Sequence, residues 1–162
     1  MPDYVFPSDA FPSLPVLTLS APDHWAPLDA AGAVLAVGWP HEDGRFIPNV
    51  IATTTRFGSG YQFDVAVAAL DSDLSQLPDA EVTVRDRGEL SGAPAYLQEV
   101  VFTEPEAGTL IQFNLVFVVR HGTVVDLVHV VGTAAGDRLE PDYAEVREII
   151  QSVTFAVEGS GS

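Results

Sequence analysis

Three polar residues on mainly apolar strands, Gln98, Asn114 and His129, are the best candidates for chemistry in this sequence. Each lies in a run rich in valine, leucine or phenylalanine. An imidazole held by amide side chains could transfer a proton or bind a small polar ligand. A lone histidine on such a strand is more often a core residue whose hydrogen bonds are satisfied inside the protein. We therefore name the three as candidate ligand-binding residues and keep the structural explanation beside the functional one.

The polar row depends on a β-hairpin over residues 110–131, where two β-branched and aromatic runs are separated by His121-Gly122. A two-residue turn at that dipeptide places Asn114 opposite His129. Antiparallel pairing of the preceding strand then puts Gln98 opposite Asn114. One face of the hairpin is apolar and the other mixes polar with apolar side chains, so both faces need a covering layer.

Two amphipathic helices are predicted to supply those layers. Ser59 and Gln62 form a capping-box pattern, which predicts Ser59 as the N-cap of the first helix. Apolar residues follow at steps of four and three, as in one buried helical stripe: Phe63, Val67, Leu70, Leu74 and Leu77. A second helix is predicted after Glu140-Pro141, and its inward residues are Tyr143, Val146, Ile149 and Ile150.

The order of elements predicts a single α+β domain with helices packed on an antiparallel sheet. Further strands are predicted at 16–19, 33–37, 49–57, 80–90, 95–103 and 153–157. We divide the chain into an extended Pro/aromatic arm (1–13), the α+β domain (14–157) and a flexible Gly/Ser tail (158–162).

The arm is a candidate partner-binding segment. It alternates proline with aromatic residues, a composition that favours an extended conformation over a helix. Exposed aromatic side chains next to proline lose little conformational entropy when a partner binds. Tyr4, Phe6 and Phe11 are therefore the candidate partner-binding residues.

Composition limits the partners. The chain has 162 residues, 23 acidic against seven basic side chains, and a formal charge of −16, so it should repel nucleic acid. Because cysteine is absent, disulfides and thiolate zinc sites are excluded. No signal peptide is visible, and apolar runs such as Leu115–Val119 are far shorter than the roughly 20 residues of a membrane span. We expect a cytoplasmic protein with no membrane insertion and with another protein as its partner.

Motifs for catalysis, metals and nucleotides are weak. Gly58-Ser59-Gly60 resembles the start of a phosphate loop, but Phe63 occupies the third glycine position and no lysine follows. Two short segments contain side chains that can bind metal ions, Asp71-Ser72-Asp73 and His41-Glu42-Asp43, but neither continues into a calcium-binding loop. Neither a G-x-S-x-G nor an H-E-x-x-H motif occurs. We expect no cofactor, no metal and no catalytic residue.

Four stretches resemble the PsbP-like superfamily, and more narrowly the actinobacterial LpqN/LpqT lipoprotein family. They are Ala21-Pro22-Asp23-His24-Trp25, Arg45-Phe46-Ile47-Pro48-Asn49-Val50, Gly92-Ala93-Pro94-Ala95 and Ile150-Gln151-Ser152-Val153-Thr154-Phe155. The chain departs from the family at His24, where glycine usually precedes the tryptophan, and in lacking a signal and lipobox. The resemblance implies an α/β/α sandwich and a non-enzymatic adaptor or subunit that binds other proteins.

Two functional hypotheses follow. The first is a non-catalytic protein-binding or adaptor module of PsbP-like fold. The alternative is a small-molecule binder or hydrolase with a pocket around His129, lined by Asn114 and Gln98. An open cavity between sheet and helix would favour the second hypothesis.

Overall fold

The computed structural model describes residues 1–40, 46–136 and 139–158. The strands are β1 (Val16–Thr18), β2 (Ala26–Pro27), β3 (Leu35–Gly38), β4 (Asn49–Gly58), β5 (Glu81–Leu90), β6 (Ala93–Glu104), β7 (Gly108–His121), β8 (Val124–Ala135) and β9 (Thr154–Ala156). The helices are α1 (Phe63–Ser75) and α2 (Ala144–Gln151), the second preceded by a π-helical turn at Leu139–Tyr143.

One antiparallel sheet of seven strands forms the centre of the fold, in the order β2-β3-β4-β8-β7-β6-β5. β1 and β9 form a separate antiparallel ribbon. Both faces of the sheet are covered, because the long strands β6, β7 and β8 carry apolar side chains on both sides. The predicted α+β class with an antiparallel sheet is confirmed.

Helix α1 covers one face of the sheet. Its predicted stripe is buried at Val67, Leu70 and Leu74, which pack with side chains of β6 and β7 such as Tyr96 and Val116. Burying an aliphatic stripe of this kind is the main stabilising contribution of a short amphipathic helix.

Helix α2 and the β1-β9 ribbon cover the opposite face. Val146, Ile149 and Ile150 are fully buried there, as predicted. Phe155 of the ribbon stacks on Phe117 of β7, with ring centroids 5.3 Å apart. The molecule is therefore a three-layer arrangement of α1, sheet, and α2 with the ribbon.

The predicted hairpin register is wrong by two residues. His121 pairs with Val124, so the loop is Gly122-Thr123 rather than His121-Gly122. Gly122 begins that loop with a φ of 59°, a conformation that glycine adopts at little cost. Because the shift is even, every side chain stays on the face predicted for it.

The predicted start of α1 is also wrong. The N-cap is Gln62, with no side-chain capping bond, and Ser59 lies in the loop before the helix. Arg120 donates to the carbonyl oxygens of Ser59 and Tyr61 at 3.1 and 2.6 Å. The ring of Tyr61 stacks on Phe57 at 3.9 Å. These contacts hold the loop as a turn and delay the helix to Phe63.

Candidate functional site

The N-terminal arm, residues 1–13, presents its aromatic side chains to solvent. Tyr4, Phe6 and Phe11 are 80, 60 and 45% exposed. The arm contains no helix or strand, but Ser8 closes a turn by donating its backbone N–H to the Phe11 carbonyl at 2.8 Å. The Phe11 N–H in turn donates to the Ser8 hydroxyl at 3.2 Å. The arm is thus locally ordered while its apolar groups remain outside the core.

The base of the arm is bound to the sheet by Arg56 of β4. Its guanidinium donates to the Pro12 carbonyl at 2.6 Å and to the Ser13 carbonyl at 3.2 Å. Its Cζ also lies 5.9 Å from the ring centroid of Phe6, within the range of a cation–π contact. One side chain therefore fixes where the arm leaves the domain.

Asp126 of β8 holds that guanidinium in place. Arg56 donates from Nε to Oδ1 and from Nη2 to Oδ2, both at 2.8 Å, and His121 Nε2 lies 2.5 Å from Oδ2. Burial alone would raise the pKa of Asp126, but the hydrogen bonds from Arg56 and His121 outweigh it and hold the pKa below its ordinary value. The carboxylate stays ionised and serves as a fixed acceptor that orients the guanidinium.

Sequence analysis did not identify the cluster of Arg56, His121 and Asp126. Its only signal is a charged residue, Asp126, on the apolar face of the hairpin, where a buried carboxylate requires a partner. The partner could not be named because Arg56 is adjacent only through the pairing of β4 with β8, which links strands distant in sequence.

The predicted polar row is present in a modified geometry. Gln98 pairs with Asn114 as predicted, whereas His129 lies opposite Val116, diagonal to Asn114. His129 Nε2 donates to Asn114 Oδ1 at 2.9 Å, and Asn114 Nδ2 donates to Gln112 Oε1 at 3.1 Å. Burial lowers the pKa of His129, and the negative charge of Asp73 only partly offsets that effect.

Helix α1 covers one end of this row. Gln98 is fully buried and Asn114 is 1% exposed. Gln98 Nε2 donates to the Asp71 carboxylate and, at 3.0 Å, to the Tyr96 hydroxyl, which donates to Asp71 at 2.8 Å. Gln98 Oε1 has no hydrogen-bond partner within the described part of the chain. Asp71, considered above as a metal-ligand type, here joins α1 to β6.

Comparison with protein-family models and with curated proteins gives no match to the sequence. Among solved structures, the chain is similar to LpqN, involved in cell envelope biogenesis of Mycobacterium tuberculosis, with a TM-score of 0.76 and 15% identity over 90% of this chain and 86% of that chain. It is also similar to cyanobacterial PsbP from Synechocystis sp. PCC 6803, with a TM-score of 0.55 and 14% identity over 90% and 94% of the two chains. The chain has the PsbP-like fold. The predicted likeness to PsbP and LpqN is confirmed at the level of fold.

The described residues contain no cluster of metal-ligating side chains. Among residues 1–40, 46–136 and 139–158, no group of three or more histidine, aspartate or glutamate side chains could hold a metal ion. The sequence His41-Glu42-Asp43 lies outside the described residues. Within those ranges, neither α1 nor α2 has the length and hydropathy that a membrane-spanning helix requires.

Proposed function

We propose that this protein is a non-catalytic adaptor module that binds another protein through its N-terminal arm. The observation that carries the proposal is the exposure of Tyr4, Phe6 and Phe11 on a segment whose base Arg56 fixes to the sheet. Aromatic residues contribute disproportionately to protein interfaces because they bury a large apolar area at low entropic cost.

Anchoring at the base makes the arm suited to binding. The bonds from Arg56 to Pro12 and Ser13 restrict the path of the chain before a partner arrives. The turn at Ser8 and the edge-on contact of Tyr4 with Phe11, 6.5 Å between centroids, restrict it further. Less conformational entropy is then lost on association.

Charge supports a protein partner over a nucleic acid. A formal charge of −16 repels phosphate backbones and leaves basic protein surfaces as the favoured electrostatic match. We place this activity in the cytoplasm, as the sequence predicts.

The alternative, a small-molecule binder or hydrolase centred on His129, has less support. Gln98 and Asn114 are buried, and Asp71 of α1 already accepts hydrogen bonds beside them. A ligand contacting all three predicted residues would have to displace α1 from the sheet. We therefore assign Gln98, Asn114 and His129 to the stability of the α1 layer.

Site-specific photo-crosslinking in the source cells tests the arm. A benzophenone amino acid is introduced at Tyr4, Phe6 or Phe11, and in a control at Val65, an exposed apolar residue of α1. We expect the same adduct from all three arm positions and none from Val65. Equal capture at Val65 would contradict the proposal.

Affinity measured with the purified partner completes the test. Tyr4→Ser, Phe6→Ser and Phe11→Ser combined should weaken binding at least about tenfold, since each removes an exposed aromatic anchor. The matched control combines Val34→Ser and Val65→Ser, which remove exposed apolar groups elsewhere. An unchanged Kd in the arm variant would reject the arm as the binding surface.

A further inference from the structure

A cleft lies between α2 and the outer strands of the sheet, on the face opposite α1. Helix α2 packs mainly on β8, β4 and β7, so part of β5 and β6 beside it forms an open floor. The resulting cavity has a volume of about 320 Å³, and its lining includes Glu99 from β6 and Phe113 from β7. It is separate from the arm and from the polar row.

Glu99 is the unusual residue of this floor. Its side chain lies in the middle of three strands, opposite Val84 on β5 and Phe113 on β7, and the residue is only 7% exposed. Among the described residues, the one hydrogen bond to its carboxylate comes from the Tyr143 hydroxyl at a long 3.4 Å. Buried carboxylates are normally paired with a cation or with several donors. Glu99 therefore has acceptor capacity that the described chain does not use.

Aromatic rings stand beside that carboxylate. Phe113 and Tyr143 have ring centroids 5.3 Å apart with an interplanar angle of 49°, and both line the cavity. Burial, together with the charge and hydrogen bond of Glu99, raises the pKa of Tyr143, which therefore keeps its proton as a donor. Two aromatic rings beside a buried carboxylate are an arrangement that favours an organic cation.

The charges around the cleft also favour a cationic ligand. Asp86 and Arg147 are exposed residues of its lining, and Glu99 is the buried charge. The lining thus carries two carboxylates and one guanidinium. No ion pair joins Arg147 to Glu99 within the described residues, so the Glu99 carboxylate can still accept hydrogen bonds from a ligand.

We propose that this cleft binds a primary ammonium group on a short alkyl chain, with Glu99 as its counter-ion. The ammonium donates to the Glu99 carboxylate, and the rings of Phe113 and Tyr143 contact the cation and the adjoining methylene groups. The ammonium comes from a free diamine or from a lysine side chain of a polypeptide. This inference does not depend on the arm.

Titration of the intact protein with 1,5-diaminopentane, followed by amide chemical shifts in NMR, tests the site. At about 0.15 M NaCl, which screens nonspecific attraction to the acidic surface, the shifts should be saturable and concentrated at Glu99, Phe113, Tyr143 and Arg147. The neutral 1,5-pentanediol and the dianion glutarate should not produce them. Saturable binding of glutarate at these residues, or diamine shifts spread over the whole surface, would overturn the proposal.

Two substitutions with opposite expected effects sharpen the test. Glu99→Gln preserves the side-chain shape and should weaken diamine binding about tenfold or more. Arg147→Gln lies at the exposed rim and should tighten binding, because it removes a repelling charge near the ammonium. Glu148→Gln removes an exposed carboxylate of α2 and should leave the affinity close to that of the unmodified protein.

The outcome for each variant decides the proposal. The proposal is overturned if Glu148→Gln weakens diamine binding as much as Glu99→Gln does. It is also overturned if Arg147→Gln weakens binding. The Arg147→Gln test remains valid even if Glu99→Gln does not fold. Comparison of diaminopentane with Nα-acetyl-lysine methylamide identifies the source of the ammonium. Tighter binding of the lysine derivative indicates a polypeptide ligand, and tighter binding of the diamine indicates a free amine.

Discussion

Arg56 and Asp126 face each other across β4 and β8 and share two hydrogen bonds of 2.8 Å. Asp126 is fully buried, whereas Arg56 is partly exposed and reaches the carbonyl oxygens of Pro12 and Ser13. The pair therefore connects the interior of the sheet to the N-terminal arm. Removing either partner should affect both stability and the position of the arm.

Asp126→Asn should destabilise the protein by about 3 to 5 kcal/mol, because a guanidinium is left beside a buried site without its counter-ion. Urea unfolding near neutral pH measures the loss. The control is Asp64→Asn, which breaks an exposed ion pair with Arg87 of 3.1 Å. That change should cost at most about 1 kcal/mol. Equal losses of unfolding free energy in the two variants would mean that the buried ion pair stabilises the protein no more than the exposed one does.

The acid sensitivity of the same variant should also change. The folded-state pKa of Asp126 lies below its ordinary value of 3.8, so its contribution is present above pH 3.8 and is lost as the pH falls through the folded-state pKa. Asp126→Asn removes this contribution. The stability difference between wild type and variant should therefore shrink on acidification, as followed by urea midpoints at successive pH values. A constant difference down to the acid transition would contradict the assignment.

Leu70→Ala should destabilise the protein by about 2 to 5 kcal/mol, because Leu70 is buried in the stripe that joins α1 to the sheet. Val65→Ala, on the exposed side of the same helix, is the control and should change stability by no more than about 0.5 kcal/mol. Thermal or urea unfolding of both variants provides the measurement. An unchanged midpoint for Leu70→Ala would reject the packing of α1 described above.

Gly132→Ala should cost about 1 to 3 kcal/mol through overpacking. A β-carbon at Gly132 would lie 2.6 Å from Val146 Cγ1 and 3.1 Å from Ile150 Cγ1, so α2 would have to move away from β8. Gly88→Ala in β5 is the matched control, since nothing lies within 4 Å of the added carbon there. Similar unfolding midpoints for the two variants would show that α2 accommodates the methyl group freely.

Periodic patterns made the helices and strand faces predictable, because burial imposes spacings that survive small errors in register. Val67, Leu70 and Leu74 of α1, and Val146, Ile149 and Ile150 of α2, are buried as the sequence predicts. Leu77, predicted in the same stripe, lies beyond the end of α1 at Ser75, and Tyr143 precedes α2 as its N-cap. Local turn geometry was less predictable. His121 could have begun the hairpin loop, yet it remains in β7, where its ring contacts Asp126. Asp126 is also bound by Arg56 of β4, a strand distant in the sequence, so the contact that keeps His121 in β7 could not be predicted locally.

Features that depend on the order of strands in the sheet could not be predicted from the sequence, because they join residues that are distant along the chain. Nothing local to Arg56 indicates that β4 lies beside β8, and nothing local to Glu99 indicates that α2 leaves a cleft beside it. The polar row was predictable because Gln98, Asn114 and His129 lie on strands that are consecutive along the chain.

The stability of the protein should fall as the pH drops below about 6.5 through His129. Burial lowers the pKa of His129 in the folded state, so the unfolded chain binds the proton more readily and stability decreases from the ordinary pKa of 6.5 down to the folded-state value. Below the folded-state value this contribution is constant. Urea unfolding near pH 7.5 and near pH 5, about one unit or more on either side of 6.5, measures the effect.

Substitutions at His129 and Asn114 separate this effect from those of other histidines. His129→Leu should remove the corresponding part of the pH dependence. His129→Ala leaves Asn114 Oδ1 buried without its donor, which should cost about 1 to 3 kcal/mol. Combining Asn114→Leu with His129→Leu removes both partners and should be tolerated better, since Gln112, which is only half-buried, can exchange its bond with Asn114 for water. If the stability of His129→Leu depends on pH as that of the wild type does, His129 has no structural role of this kind. A double variant with unchanged stability and lost ligand binding would favour the small-molecule alternative.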